Sequence, residues 1–216
     1  MPNNPVTQLV RSIAWLQLFA VTVFTVVCGV AQFARSDLDP IVMPLSAYLI
    51  GPGGAWVRSA YYLMTPALFG FAWAGYQVTS VARRSLLAAI LFAIAAATLS
   101  PVAATVLFSG TRYENLARLI HGLAAQTTFL CLSFGMLLLS TRWRGDLRWR
   151  RGSLPGVVLA WLATAALWLQ VLDRSLPRGF AQKLPIVLIL LWLGWVACQW
   201  LRMASMAPQS GGELAS

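Results

Sequence analysis

Charge is the scarcest commodity in this sequence. Only 10% of its 216 residues are charged, against about 25% in soluble domains. Acidic residues are scarcer still, 6 Asp+Glu against 16 Lys+Arg. A chain this poor in charge, 59% hydrophobic and with a mean hydropathy of +0.71, cannot cover a water-facing surface. That excludes an ordinary soluble enzyme, a disordered protein and a free nucleic-acid-binding domain. Histidine occurs once, as His121. A lone imidazole cannot supply the paired axial ligands of a membrane cytochrome, and it leaves a zinc site dependent on Asp37 and Asp39, away from the usual multi-histidine pattern. Cys28, Cys131 and Cys198 sit in apolar stretches with no C-x-x-C pair, so they read as inert thiols. The expectation is no cofactor and no metal.

What is present is long apolar sequence. A transmembrane helix needs roughly 20 mainly apolar residues, and six stretches qualify: 12–33, 57–78, 86–108, 120–140, 156–173 and 186–203. The fold class is all-α, a polytopic membrane bundle of six transmembrane helices in one domain over 1–216. The first stretch is longer than a signal-peptide core and no A-x-A site follows, so it is read as retained. The tail from 204 is small and polar, and is expected to be disordered.

Positive charge sets the expected orientation. With the N-terminus inside, inner segments hold nine cations and outer segments seven. The segment Thr141–Pro155 alone carries Arg142, Arg144, Arg148, Arg150 and Arg151, a block that resists translocation. Both termini are therefore placed in the cytoplasm, in a bacterial inner membrane. Those five arginines, with Trp143 and Trp149 between them, are expected to dock on anionic inner-leaflet lipid, at about 1 kcal/mol per arginine; no nucleic acid is expected there.

Small residues at four-residue spacing, Ala89, Ala93 and Ala97, and Gly70 with Ala74, suggest close helix contacts of the membrane kind. Trp15, Trp56, Trp143, Trp149 and Trp200 fall near helix ends, where an indole N–H can stay wet. Trp73, Trp161, Trp168, Trp192 and Trp195 lie deeper and read as packing.

Polar residues gather on the outer side. The connection Ala34–Gly54 is too long for a turn and too apolar for a solvated loop, and Ile41–Ile50 is too short to span. It reads as an interfacial or re-entrant lid. Ser36 followed by Asp39 resembles a capping box for a short helix. Glu114, Arg118, His121 and Ala125 share one face of the fourth helix. Arg58, Tyr61 and Tyr62 form a strip at similar depth on the second. Ionisable groups at membrane depth usually face the bundle interior or a water-filled cavity. One cluster is therefore expected to collect Asp37, Asp39, Ser46, Arg58, Tyr61, Arg112, Glu114, Arg118 and His121.

Two uses of such a cluster differ in kind. It can pair internally and with headgroups, holding the lid, or it can bind a lipid-like or small ligand. A catalytic version makes Ser46 the nucleophile, His121 the base and Asp37 or Asp39 the orienting carboxylate of a lipid hydrolase or transferase. No G-x-S-x-G context surrounds Ser46. A transporter would want polar groups at mid-membrane, and only Thr65, Thr98, Ser100, Gln126, Thr127, Thr128 and Thr164 lie there. The leading expectation is a ligand-binding membrane protein rather than an enzyme.

The run Asp37–Pro40, the following Pro44-Leu-Ser-Ala-Tyr48 and Gly51, a later Arg118-Leu-Ile-His121 and six apolar stretches together resemble the bacterial and archaeal family catalogued as domain of unknown function 998. The resemblance covers Ser12 to Met203. It implies a six-helix integral membrane protein with Asp37, Asp39, Ser46 and His121 as motif positions on one side, and it implies no activity.

Overall fold

Apolar sequence of this length has one way to satisfy its backbone away from water, and the chain takes it: every regular element among the described residues is helical. The structure, a computed structural model, describes residues 5–146, 148–149, 153–173 and 175–205. Six long helices follow in order: α1 (Pro5–Ala34), α2 (Gly54–Val78), α3 (Leu86–Ala104), α4 (Glu114–Arg144), α5 (Ser153–Leu172) and α6 (Arg178–Ser205). Short 3-10 turns occupy Leu45–Leu49, Val81–Arg83 and Thr105–Phe108. Each helix packs on its chain neighbours and α6 returns to α1, closing a ring.

Among the described residues, five helices are long and apolar enough to cross a membrane: α1, α3 with its trailing 3-10 turn, α4, α5 and α6. The expected six are therefore matched in number of long helices but not in apolarity. The exception is α2, long enough at 25 residues but diluted by Trp56, Tyr61, Tyr62, Gly70, Trp73, Gly75 and Tyr76. It compensates by burial, giving Val57, Tyr61, Met64, Leu68 and Phe71 to the core. Outward faces are apolar, with Phe19, Val30, Leu119, Leu123, Leu154 and Trp161 all exposed. Such a surface calls for a lipid solvent.

Several packing expectations are corrected. The buried stripe of α3 is Ala88, Phe92, Ala95, Ala96 and Leu99, one position off the expected Ala89, Ala93 and Ala97. That register lets Phe92 lie against Gly135 of α4, where an added Cβ would sit 3.1 Å from the ring. Trp143, Trp149 and Trp200 are buried rather than wet, whereas Trp73, Trp161 and Trp168 face outward. The reason is local. Trp143 and Trp149 stack with centroids 3.9 Å apart, and the Trp143 indole donates to Thr79 Oγ1 at 3.0 Å. Phe71, Phe92, Trp192 and Trp200 extend this aromatic mass into the bundle. Arg142, Arg144 and Arg148 remain on the surface. Arg150 and Arg151 of the expected lipid anchor, Arg174, and Ala207–Ser216 of the expected tail lie outside the described residues.

The connection 35–53 covers one end of the ring. Asp39 does not start a helix with Ser36; its carboxylate accepts the Ile41 N–H at 2.7 Å, a local turn that competes with helix formation. Pro44 then admits only the 3-10 turn, whose Leu45, Tyr48 and Leu49 are buried against the bundle. Gly51 and Gly53 take φ of 80° and 76°, the left-handed turn that glycine adopts at no steric cost, and α2 begins.

Candidate functional site at the lid end

The lid is fastened by groups that would otherwise lack partners. A helix leaves its first N–H groups unbonded, and in α6 two of them find lid carbonyls: Gly179 N–H donates to Val42 O and Phe180 N–H to Ile41 O, both at 2.9 Å. The approach is so close that a Cβ on Gly179 would lie 2.3 Å from Met43 O. One turn on, Gln182 Oε1 accepts the Leu45 N–H at 2.8 Å. Lys183 Nζ donates to Pro40 O and lies over the Tyr48 ring. Burial pushes the Tyr48 phenol up.

Arg35 holds the other side of the lid. It grips Asp37 through two bonds of 2.7 Å and donates a third to Ile50 O, also at 2.7 Å. The Arg35 guanidinium holds the Asp37 carboxyl below the usual carboxylate range. Arg58 Nη1 donates to Leu49 O. Asp37, Asp39 and Arg58 are thus spent on lid geometry, and no hydrogen bond or ion pair among the described residues joins either aspartate to His121. Arg112 lies over the Tyr113 ring and Tyr62 points outward; neither joins the cluster.

The remaining residues do converge. A cavity under the lid is walled by Pro44, Ser46, Thr105, Glu114, Arg118 and His121, and encloses about 600 Å³ counting its open side. A second, of about 680 Å³ counting its open space, runs down between α2, α3, α4 and α6 past Tyr61, Met64, Leu68, Leu132 and Leu193. Ser46 and His121 border both. The first has a polar rim; the second is almost wholly apolar.

His121 is oriented by the end of α3. Its Nδ1 lies 2.9 Å from Val102 O and 3.2 Å from Thr105 Oγ1. A carbonyl can only accept, so Nδ1 carries the proton, and a terminal carbonyl of α3 gains a partner. In the neutral ring Nε2 is then an acceptor, and it takes no hydrogen bond among the described residues. Glu114 and Arg118 pair at 2.7 Å across one helical turn, and Glu114 also accepts the Gly110 N–H at 3.0 Å. Among the described residues Ser46 Oγ makes no hydrogen bond, and none joins it to His121. No group of three His, Cys, Asp or Glu among the described residues could hold a metal.

Gln182, Thr105 and Arg35 were not singled out from sequence. Gln182 and Lys183 form a polar pair opening an apolar helix, and Arg35 stands two residues before Asp37, so both carried a signal. Thr105 carried none: its place beside His121 comes from the 3-10 turn after Pro101.

No curated protein and no solved structure matches the chain. Residues 18–199 match the family model described as Protein of unknown function (DUF998), and the chain belongs to that family.

Proposed function

We propose that this is a multi-pass protein of a bacterial inner membrane that binds a lipid-like amphiphile beneath the lid, with no chemistry performed on it. All six long helices span in this reading, α2 shielded by its neighbours. Both termini are cytoplasmic, the lid is extracytoplasmic, and Arg142, Arg144, Arg148, Arg150 and Arg151 meet anionic lipid of the inner leaflet. The observation that carries it is that Ser46 and His121 line both cavities. A polar mouth beside an apolar bore matches a headgroup and a chain.

Binding is favoured over hydrolysis because the carboxylates suited to orient a base, Asp37 and Asp39, are engaged in the lid. It is favoured over transport because the interior beyond the bore is filled by Phe71, Phe92, Trp143 and Trp192. The test is native mass spectrometry of the purified protein and of His121→Ala. A lipid carried by the wild type and lost from the variant is expected. Identical lipid profiles would leave the cluster with only a structural role.

A further inference from the structure

We propose that the amphiphile is a single-chain lipid with an uncharged, hydroxyl-bearing headgroup, of the monoacylglycerol class; this rests on the binding reading above and specifies its ligand. The argument begins with charge. Ser46 and His121 border both cavities and Tyr61 and Gln182 line the inner one, none of them a fixed charge. Farther out, the mouth has one cation, Arg118, and Glu114 already neutralises it at 2.7 Å. Among the described residues lining either cavity there is no other cation. Arg118 is exposed, 72% of its side chain in the open, so the cation available to a phosphate or carboxylate lies at the outer rim. A charged headgroup drawn in to Ser46 and His121 would lack a partner there, a cost that a neutral headgroup avoids.

The hydrogen-bonding groups left over fit hydroxyls and an ester. His121 Nε2 offers an acceptor with its ring direction fixed through Val102 O. The Ser46 hydroxyl is uncommitted and can both donate and accept. Gln182 spends its oxygen on Leu45 N–H, which leaves its amide hydrogens to donate. A glycerol hydroxyl can give its proton to Nε2, and an ester carbonyl can accept from the amide.

The bore sets the number of chains. It is a narrow channel lined on all sides by single side chains such as Met64, Leu99, Phe129 and Leu193, a shape that suits one acyl chain. Its lining on α4 runs from His121 to Leu132, a rise of roughly 16 Å at 1.5 Å per residue, enough for most of an acyl chain. No α5 residue lines the bore, and α4 touches α6 only sparsely, so a chain can slip in sideways from the bilayer.

The experiment offers the full-length protein in nanodiscs equimolar monoolein, oleate and lysophosphatidate, and counts bound lipid by native mass spectrometry. Monoolein is expected to bind best, by roughly tenfold, the size of a buried hydrogen bond to be satisfied or lost. His121→Asn, whose amide can still reach Val102 O but offers no group at the Nε2 position, is expected to lose that preference with its fold intact. Ala125→Trp, which fills the bore, is expected to bind none of the three; Leu99→Phe serves if that variant fails to fold. Equal or tighter binding of either charged lipid would overturn the headgroup inference and leave amphiphile binding standing. Failure of the wild type to bind any of the three, with the lipids that co-purify unchanged in Ala125→Trp, would overturn both.

Discussion

His121 Nδ1 meets the carbonyl of Val102 at 2.9 Å, nineteen residues back in the chain and one helix away. This bond makes the only imidazole a structural cap and a potential ligand contact at once, through different nitrogens. The two roles separate by substitution. His121→Phe keeps the ring but leaves Val102 O with only the longer 3.4 Å bond from Thr105 Oγ1, and losing the ring N–H bond costs about 0.5–1.5 kcal/mol. His121→Asn places an amide near the Nδ1 position and is expected to recover most of that loss. Thermal unfolding in detergent, comparing the two variants with wild type, checks the order. Equal destabilisation by both would mean that the Val102 bond contributes nothing.

Gly179 makes a sharper demand. Its N–H and that of Phe180 seat the lid on α6, and a Cβ there would meet Met43 O at 2.3 Å and Ile41 O at 2.7 Å. Gly179→Ala must therefore push lid and helix apart. Losing two backbone hydrogen bonds is expected to cost about 1–3 kcal/mol, with faster amide exchange at position 179 and Phe180, whose N–H groups donate them. Unchanged exchange there would show that these two bonds do not hold the lid and leave it to Arg35, Arg58, Gln182 and Lys183.

These two contacts show where sequence reading succeeds and where it stops. The long helices are legible because apolar length is a property of each segment by itself, and the Glu114–Arg118 pair is legible because four-residue spacing on a helix implies contact. The engagement of Asp37 by Arg35 is not, because the lid turns back on itself and no periodicity describes it. The buried tryptophans at the Asp146 end are misplaced for a related reason. Proximity to a helix end argues for a wet indole only if the following loop stays out, and here Trp149 folds back onto Trp143. Gln17 is a further example: wholly buried on α1, its amide donates only to Met64 Sδ. Nothing in its apolar surroundings marks which face of α1 turns inward.

Asp146 ties two connections together at the end opposite the lid. Its carboxylate accepts the Ser80 N–H at 2.8 Å and the Arg148 N–H at 3.1 Å. Burial pushes this carboxyl up, but the bonds from Ser80 and Arg148 together bring it below its ordinary value. An unfolded aspartate titrates near about 3.9. The stabilisation is therefore fully present above that value and is lost as pH falls through the lower folded one. Asp146→Asn is expected to destabilise at neutral pH and to flatten the acid limb of the stability curve. Parallel acid limbs for wild type and variant would show that the carboxylate does not hold the two connections together.

The strictest separation of binding from catalysis comes from Ser46 and Asp37. A nucleophilic serine needs a base within hydrogen-bond reach, and a base needs an orienting group. Ser46 makes no bond to His121, and Asp37 is held by Arg35, 62% of its side chain in the open. A binding site asks something different of each. Ser46→Ala is expected to weaken monoolein binding by roughly tenfold, since it removes one hydrogen-bonding group from the wall that both cavities share. Asp37→Asn is expected to leave affinity unchanged, because an exposed ion pair contributes little and the residue lines neither cavity. Prolonged incubation of wild-type protein with monoolein should return the ester intact. Release of oleate that vanishes in Ser46→Ala would instead make the serine a nucleophile and require the lid to rearrange around bound lipid.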